Sequence, residues 1–133
     1  MKLPENYQYV AVLEYYKGEI GITFPDLPGC TSQASSEDKA LSCAREALAL
    51  HLYGMETDND PIPSPTPLRD IKCEDNEAVV LVDVYMPPMR EYHQNKFVKK
   101  TLSIPSWLNL EAEHRGINFS KVLRDALTEQ LGL

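Results

Sequence analysis

The sequence predicts an α+β protein, in which a small β-β-β-α-β body is followed by a strand, a short helix and a longer helix. Three observations carry that expectation. Residues 7–24 form two runs rich in β-branched and aromatic side chains, split by Lys17-Gly18-Glu19, which is a hairpin pattern. Residues 40–52 repeat apolar side chains at helical spacing. Charge is divided along the chain: residues 1–95 hold 7 basic and 16 acidic side chains, net −9, whereas residues 96–133 hold 6 and 4, net +2. An acidic body and a mildly basic tail suit different partners. The expected domains are residues 1–90 and 96–133, with the polar residues 90–95 as a linker.

Taken in order, Tyr7-Gln8-Tyr9-Val10-Ala11-Val12-Leu13-Glu14-Tyr15-Tyr16 reads as a strand, and Ile20, Ile22 and Phe24 alternate along a second. In Pro25-Asp26-Leu27-Pro28-Gly29-Cys30, two prolines and a glycine force an ordered, non-helical turn. Residues 31–34 supply a short third strand. Ser35-Ser36-Glu37-Asp38 is a helix start, with Ser35 and Asp38 at capping-box spacing. Ala40, Leu41, Ala44, Ala47, Leu48, His51 and Leu52 form the helix's packing face, and Gly54 is its expected stop. The alternating prolines 61, 63, 65 and 67 make a stiff, extended connector. Ala78-Val79-Val80-Leu81-Val82-Asp83-Val84-Tyr85 is almost wholly apolar and reads as an interior strand, ended by Met86-Pro87-Pro88-Met89.

In the tail, residues 99–104 alternate, with Lys99, Thr101 and Ser103 on one side and Lys100, Leu102 and Ile104 on the other. Pro105 ends this strand. A strand so short has two unpaired edges, and a second copy of the chain is the economical partner. The resulting ribbon would present Lys99, Thr101 and Ser103 twice, a set suited to base edges and phosphates in a major groove. Asn118 suits a helix N-cap, leaving the amides of Phe119, Ser120 and Lys121 as an anion site. Leu102, Ile104, Leu108, Val122, Leu123, Ala126 and Leu127 make an apolar surface too large for three elements to bury, which implies an intertwined homodimer. Trp107 fits either that core or an exposed platform.

The totals exclude several classes. The chain has 133 residues, no apolar run of membrane-spanning length and no signal-peptide core at its N-terminus, so a cytoplasmic protein is expected. Cys30, Cys43 and Cys73 are odd in number and widely spaced, which fits neither a disulfide framework nor a zinc site. No metal or cofactor is expected. His51, His93 and His114 lie in no ligand spacing and suggest no Ser or Cys partner. Glu14, Asp26 and Asp83 are the acids nearest strand ends; exposed strand-end and turn positions account for Glu14 and Asp26, Asp83 sits inside a strand with either face open to it, and no metal-dependent nuclease chemistry or catalytic residue is expected.

Strand, Ile104-Pro105, short helix, Gly116-Ile117-Asn118-Phe119-Ser120, then an amphipathic helix resembles the ribbon-helix-helix family of DNA-binding proteins. With the upstream order of elements and Phe24-Pro25-Asp26-Leu27-Pro28-Gly29-Cys30 after the second strand, the whole chain resembles the HicB antitoxin family. The resemblance implies a body similar to a truncated ribonuclease H fold, without nuclease activity, that binds and covers a small basic RNA-cleaving toxin, HicA. It implies a tail that binds the operon's own operator, with Lys99, Thr101 and Ser103 as base readers and the helix end at Asn118 on a phosphate. Asp26, Leu27 and Pro28 are the candidate toxin contacts, although a rigid turn explains them as well. The expected assembly is a homodimer through the C-terminal domain, with a tetramer as the next step, and no membrane partner. Two readings compete: a repressor whose α/β body senses a small ligand, and a metal-dependent nuclease.

Overall fold

The computed structural model describes residues 2–133. The chain divides into two compact units, Met1–Lys96 and Phe97–Leu133. The first is built on a four-stranded antiparallel sheet of order β3-β2-β1-β4. Its strands are β1 (Asn6–Tyr16), β2 (Glu19–Thr23), β3 (Thr31–Ala34) and β4 (Glu77–Tyr85), and a 21-residue helix, α1 (Glu37–Thr57), follows β3. Two further helices, α3 (Ser106–His114) and α4 (Phe119–Leu131), form the second unit.

The hairpin β1–β2 turns through Lys17-Gly18, where Gly18 takes φ +87°, a left-handed value that a side chain would resist. Side chains of β1 alternate faces. Tyr9 and Ala11 join Ile20, Ile22, Val82 and Val84 in a core closed by Ala40, Ala44, Leu48 and Leu52 of α1. Each fully buried Leu or Ile contributes about 1.5–3 kcal/mol, and the alanines let the helix lie close on the sheet.

The Phe24–Cys30 turn is fixed by its own residues. Leu27 N–H donates to Phe24 O, Cys30 N–H to Leu27 O, and Phe24 N–H back to Cys30 O. Phe24, Leu27 and Cys30 all point into the core. Gly29 permits the reversal with φ +89°. Both Asp26 carboxylate oxygens are engaged by Thr66, from its N–H at 2.8 Å and its hydroxyl at 2.6 Å. The turn therefore also pins the proline-rich connector, which meets Tyr9 again where its hydroxyl donates to Pro63 O.

Four local expectations need correction. The N-cap is Ser36, its side chain makes no capping bond, and the Ser35–Asp38 box does not form; Asp38 is a methylene shorter than the glutamate that reaches back in such a box. Instead Tyr15 hydroxyl donates to Glu37 Oε1 at 2.7 Å. Gly54 does not end α1, which runs to Thr57 because Glu56 is anchored by Tyr7 and Arg90. That anchoring offsets the cost of about 1 kcal/mol for a mid-helix glycine. β4 is an edge strand, not an interior one. Finally, residues 90–95 are not a free linker: α2 (Pro87–Gln94) occupies this stretch, with prolines in the first turn, where their missing N–H costs nothing.

Helix α2 is fastened to the body by an ion pair. Arg90 Nη2 lies 2.7 Å from Glu56 Oε2, and their side chains are only 17% and 3% exposed. The same nitrogen donates to Pro4 O, and Tyr7 hydroxyl donates to Glu56 Oε2 at 2.7 Å. Burial opposes the charge on Glu56, yet the hydrogen bonds from Arg90 and Tyr7 hold its carboxyl below the usual range. Burial, and then the bond to Glu56, push the Tyr7 phenol up to about 12.

Candidate docking and nucleic-acid surfaces

In the second unit, Gly116 takes φ +66° and Ile117 N–H returns to Ala112 O, which closes α3 and turns the chain into α4. Asn118 caps α4: its Oδ1 accepts from Lys121 N–H at 3.0 Å. The amides at Phe119 and Ser120 lie in the same first turn. Lys121 Nζ is paired with Asp125 at 2.8 Å, an exposed i,i+4 bridge that exchanges readily with solvent. Lys99, Thr101 and Ser103 are all exposed. Residues 99–104 join no strand ladder among the described residues of one chain. Backbone pairing needs a second strand, and one chain supplies none here.

No residue of the second unit is buried. Leu102, Ile104, Leu108, Val122 and Leu127 are between 42% and 58% exposed, Ala126 is exposed, and Leu123 is half-buried. Trp107 and Leu110 stand further out. Phe97 lies 6.0 Å from the Arg124 guanidinium, a cation–π contact within this unit.

In the first unit the predicted toxin contacts go largely to the fold. Leu27 is buried, Asp26 is half-buried and bound to Thr66, and Pro28 alone is exposed. The three acids weighed for nuclease chemistry are separated. Glu14 sits on the sheet face away from α1, Asp26 is held in its turn, and Asp83 pairs with Arg45 at 3.2 Å. Among the described residues no group of three His, Cys, Asp or Glu is placed to hold a metal ion. An open groove of about 390 Å³ lies between the start of β3 and α1, lined by Ser32, Cys43, Glu46, Ala47, Leu50 and His51 among others. Burial pushes the thiol of neighbouring Cys30 up to about 11, so it stays protonated and inert.

Sequence reasoning missed two features of the body. The Tyr7–Glu56–Arg90 cluster joins residues 49 and 34 positions apart, with no local signal. The second is the edge position of β4, whose apolar run signals an interior strand. No helix among the described residues is long and apolar enough to cross a membrane.

Comparison with known proteins fits this arrangement. The family model described as HicB-like antitoxin of bacterial toxin-antitoxin system matches residues 9–121. A toxin–antitoxin complex from Streptococcus pneumoniae contains a chain of similar fold, with 22% identity, a TM-score of 0.59, and coverage of 94% of this chain and 99% of that one. The antitoxin HicB of Burkholderia pseudomallei is similar at 20% identity and a TM-score of 0.54, over 94% of this chain and 98% of the other. A chain of the HicA3–HicB3 complex covers 59% of this chain and 98% of its own length, at 23% identity and a TM-score of 0.51. An uncharacterized 14.9 kDa protein of Haemophilus phage HP1 is 34% identical over 48 residues, a match that spans 36% of each chain. With the family pattern running across both units, the chain is a member of the HicB-like antitoxin family.

Proposed function

We propose that this chain neutralises a small HicA-like toxin by direct binding through its acidic first unit, and represses its own operon by binding operator DNA through residues 96–133. The observation that carries the first half is the family match across residues 9–121, joined by fold similarity to chains from two toxin–antitoxin complexes. The net charge of −9 over residues 1–95 suits a basic partner. The body is read as a truncated ribonuclease-H-like domain without catalysis, and the tail as a ribbon-helix-helix unit.

The second half rests on the tail's composition and on its unpartnered apolar side chains. A second copy would pair residues 99–104 strand to strand and cover Leu102, Ile104, Leu108, Val122, Leu123, Ala126 and Leu127. The ribbon's polar face would then carry two copies of Lys99, Thr101 and Ser103, flanked by the capped end of α4 at Asn118, Phe119, Ser120 and Lys121. Higher assembly into a tetramer would leave this dimer intact.

The deciding experiment is co-expression with the small protein encoded beside this chain, followed by purification of the complex and a salt-titrated operator-binding assay. Relief of toxicity with a co-purifying complex supports the first half. Replacing Lys99, Thr101 and Ser103 with Ala should abolish operator binding while dimer mass and neutralisation stay as in the parent. Losing two lysines per dimer also makes the salt dependence shallower, by up to about two units of slope. A triple variant that binds operator like the parent removes the DNA reading.

A further inference from the structure

The two edges of the sheet are unlike. β3 is four residues of mostly polar sequence, Thr31-Ser32-Gln33-Ala34, which makes a poor template for another strand. β4 is nine residues long and apolar at seven of them, yet only Val82 and Val84 are buried. A strand that is apolar on both faces is ordinarily covered on both faces and paired along both edges. β4 has β1 on one side and no strand on the other.

The backbone directions are fixed by the flanking hydrogen bonds. Asn76 O accepts from Tyr15 N–H, and Met86 N–H donates to Glu5 O, so even-numbered residues of this stretch face β1. Glu77 N–H instead turns back to Glu74 O, and Asp83 O accepts from Arg45 Nε, so odd-numbered residues face away. Within the strand, alternation then points the N–H and C=O of Val79, Leu81 and Tyr85 outward, and among the described residues no hydrogen bond reaches them. The turn at Leu68–Asp70 lies against β4 without bonding to it.

The same odd-numbered side chains share the sheet face away from α1. There Leu81 and Val79 stand opposite Val10 and Val12 of β1. Val10 and Val12 are already buried, whereas Leu81 is 42% and Tyr85 58% exposed. Around them the charge is negative: residues 68–85 hold Asp70, Glu74, Asp75, Glu77 and Asp83 against Arg69 and Lys72. Arg45 reaches the edge on Asp83, in a half-exposed pair that a competing cation displaces easily.

We propose that the outward edge of β4, with Leu81 and Tyr85 beside it, is the docking site for a β-strand of a cationic protein partner, added to the sheet beyond β1-β4. Backbone bonds to Val79, Leu81 and Tyr85 supply the pairing, and the carboxylates select a basic chain. A second copy of β4 is the poorer occupant, because it brings two copies of this net-negative stretch together. This proposal rests on the antitoxin reading above, which supplies the toxin as the cationic partner.

The experiment is amide hydrogen exchange by NMR on the full chain, alone and with the purified small basic protein encoded beside it. The proposal expects the amides of Val79, Leu81 and Tyr85 to exchange fast in the free chain and at least tenfold more slowly in the complex. Leu81→Pro removes an outward N–H without touching the ladder to β1, and should weaken binding at least tenfold. Should that variant misfold, Leu81→Lys keeps the N–H, adds a like charge and should weaken binding to a similar degree. A complex that forms with these amides still exchanging fast, or that tolerates both variants, overturns the docking site and leaves the antitoxin reading standing. Protection already present in the free chain and rising with its concentration assigns the edge to a second copy and overturns it too. If the parent forms no complex, the antitoxin reading fails, and the docking proposal falls with it.

Discussion

The two units of the chain use the same kinds of residue to opposite effect. In the first, Tyr9, Ile22, Leu27, Leu48, Leu52 and Val82 are buried to within about 2% of their surface. In the second, Leu102, Leu108, Val122 and Leu127 are at least as apolar, and none is buried. The difference is geometric. A sheet with a 21-residue helix across it encloses a volume; two helices joined by one turn do not. The body encloses most of its apolar side chains, with the outer ones of β4 left uncovered, whereas the tail encloses none.

The sharpest way to break this comparison is Leu123→Glu. A carboxylate placed among the tail's apolar side chains has no cation to pair with, which is strongly unfavourable once the face is covered. Light scattering should show complete loss of tail-mediated association, while the body's near-ultraviolet circular dichroism is retained. An unchanged mass would remove the dimer core from the tail.

The next effect lies in the body. Arg90→Ala leaves Glu56 in a nearly closed site with only Tyr7 to serve it, and removal of one partner from a buried pair costs about 3–5 kcal/mol. Denaturant unfolding should register a loss of this order in the first unit. A loss below about 1 kcal/mol would mean that α2 is not fastened by this pair. The same cluster gives a pH signature. Tyr7 keeps its proton more tightly when folded, with its phenol near 12 against an ordinary value near 10. Its contribution is therefore fully present below about pH 10 and is lost as pH rises toward 12. Tyr7→Phe should flatten that alkaline decline relative to the parent; superimposable curves would contradict the assignment. The acid side has the opposite sign: the depressed Glu56 carboxyl adds stability at neutral pH that disappears as pH falls through its folded value.

The smallest expected effect is at Asn118. Its Oδ1 satisfies one amide at the start of α4, so Asn118→Ala should cost about 1 kcal/mol of tail stability. Thermal unfolding of the associated chain checks it, and no shift in midpoint would show the cap to be idle.

Much of the fold was legible in local pattern. The two strands of the hairpin, the alanine-rich face of α1 and the cap at Asn118 each follow from neighbours in sequence. Two of the misses share a cause, which is that the deciding interaction is remote. Gly54 fails to stop α1 because Tyr7 and Arg90 hold Glu56 just beyond it. Pro87 and Pro88 are a local case: they end the strand, and prolines in a first turn also open a helix. The run from Ala78 to Tyr85 announces apolar surroundings but cannot say whether this chain or another provides them. The Phe24–Cys30 turn shows the reverse case: Leu27 looked presentable to a partner, and its spacing from Phe24 and Cys30 turns it inward instead. A division after residue 90 would cut α2, so an isolated body is better ended at Lys96.

A unit that encloses nothing by itself has a stability inseparable from protomer concentration. No residue of Phe97–Leu133 is buried, so a tail that pairs as proposed owes its order to mass action, whereas the body encloses its own core. On that proposal, the body keeps its fold at low copy number while the tail stays mostly unpaired. Any activity that needs the paired tail should therefore rise more steeply than linearly with the amount of chain, and activity of the body should rise in simple proportion.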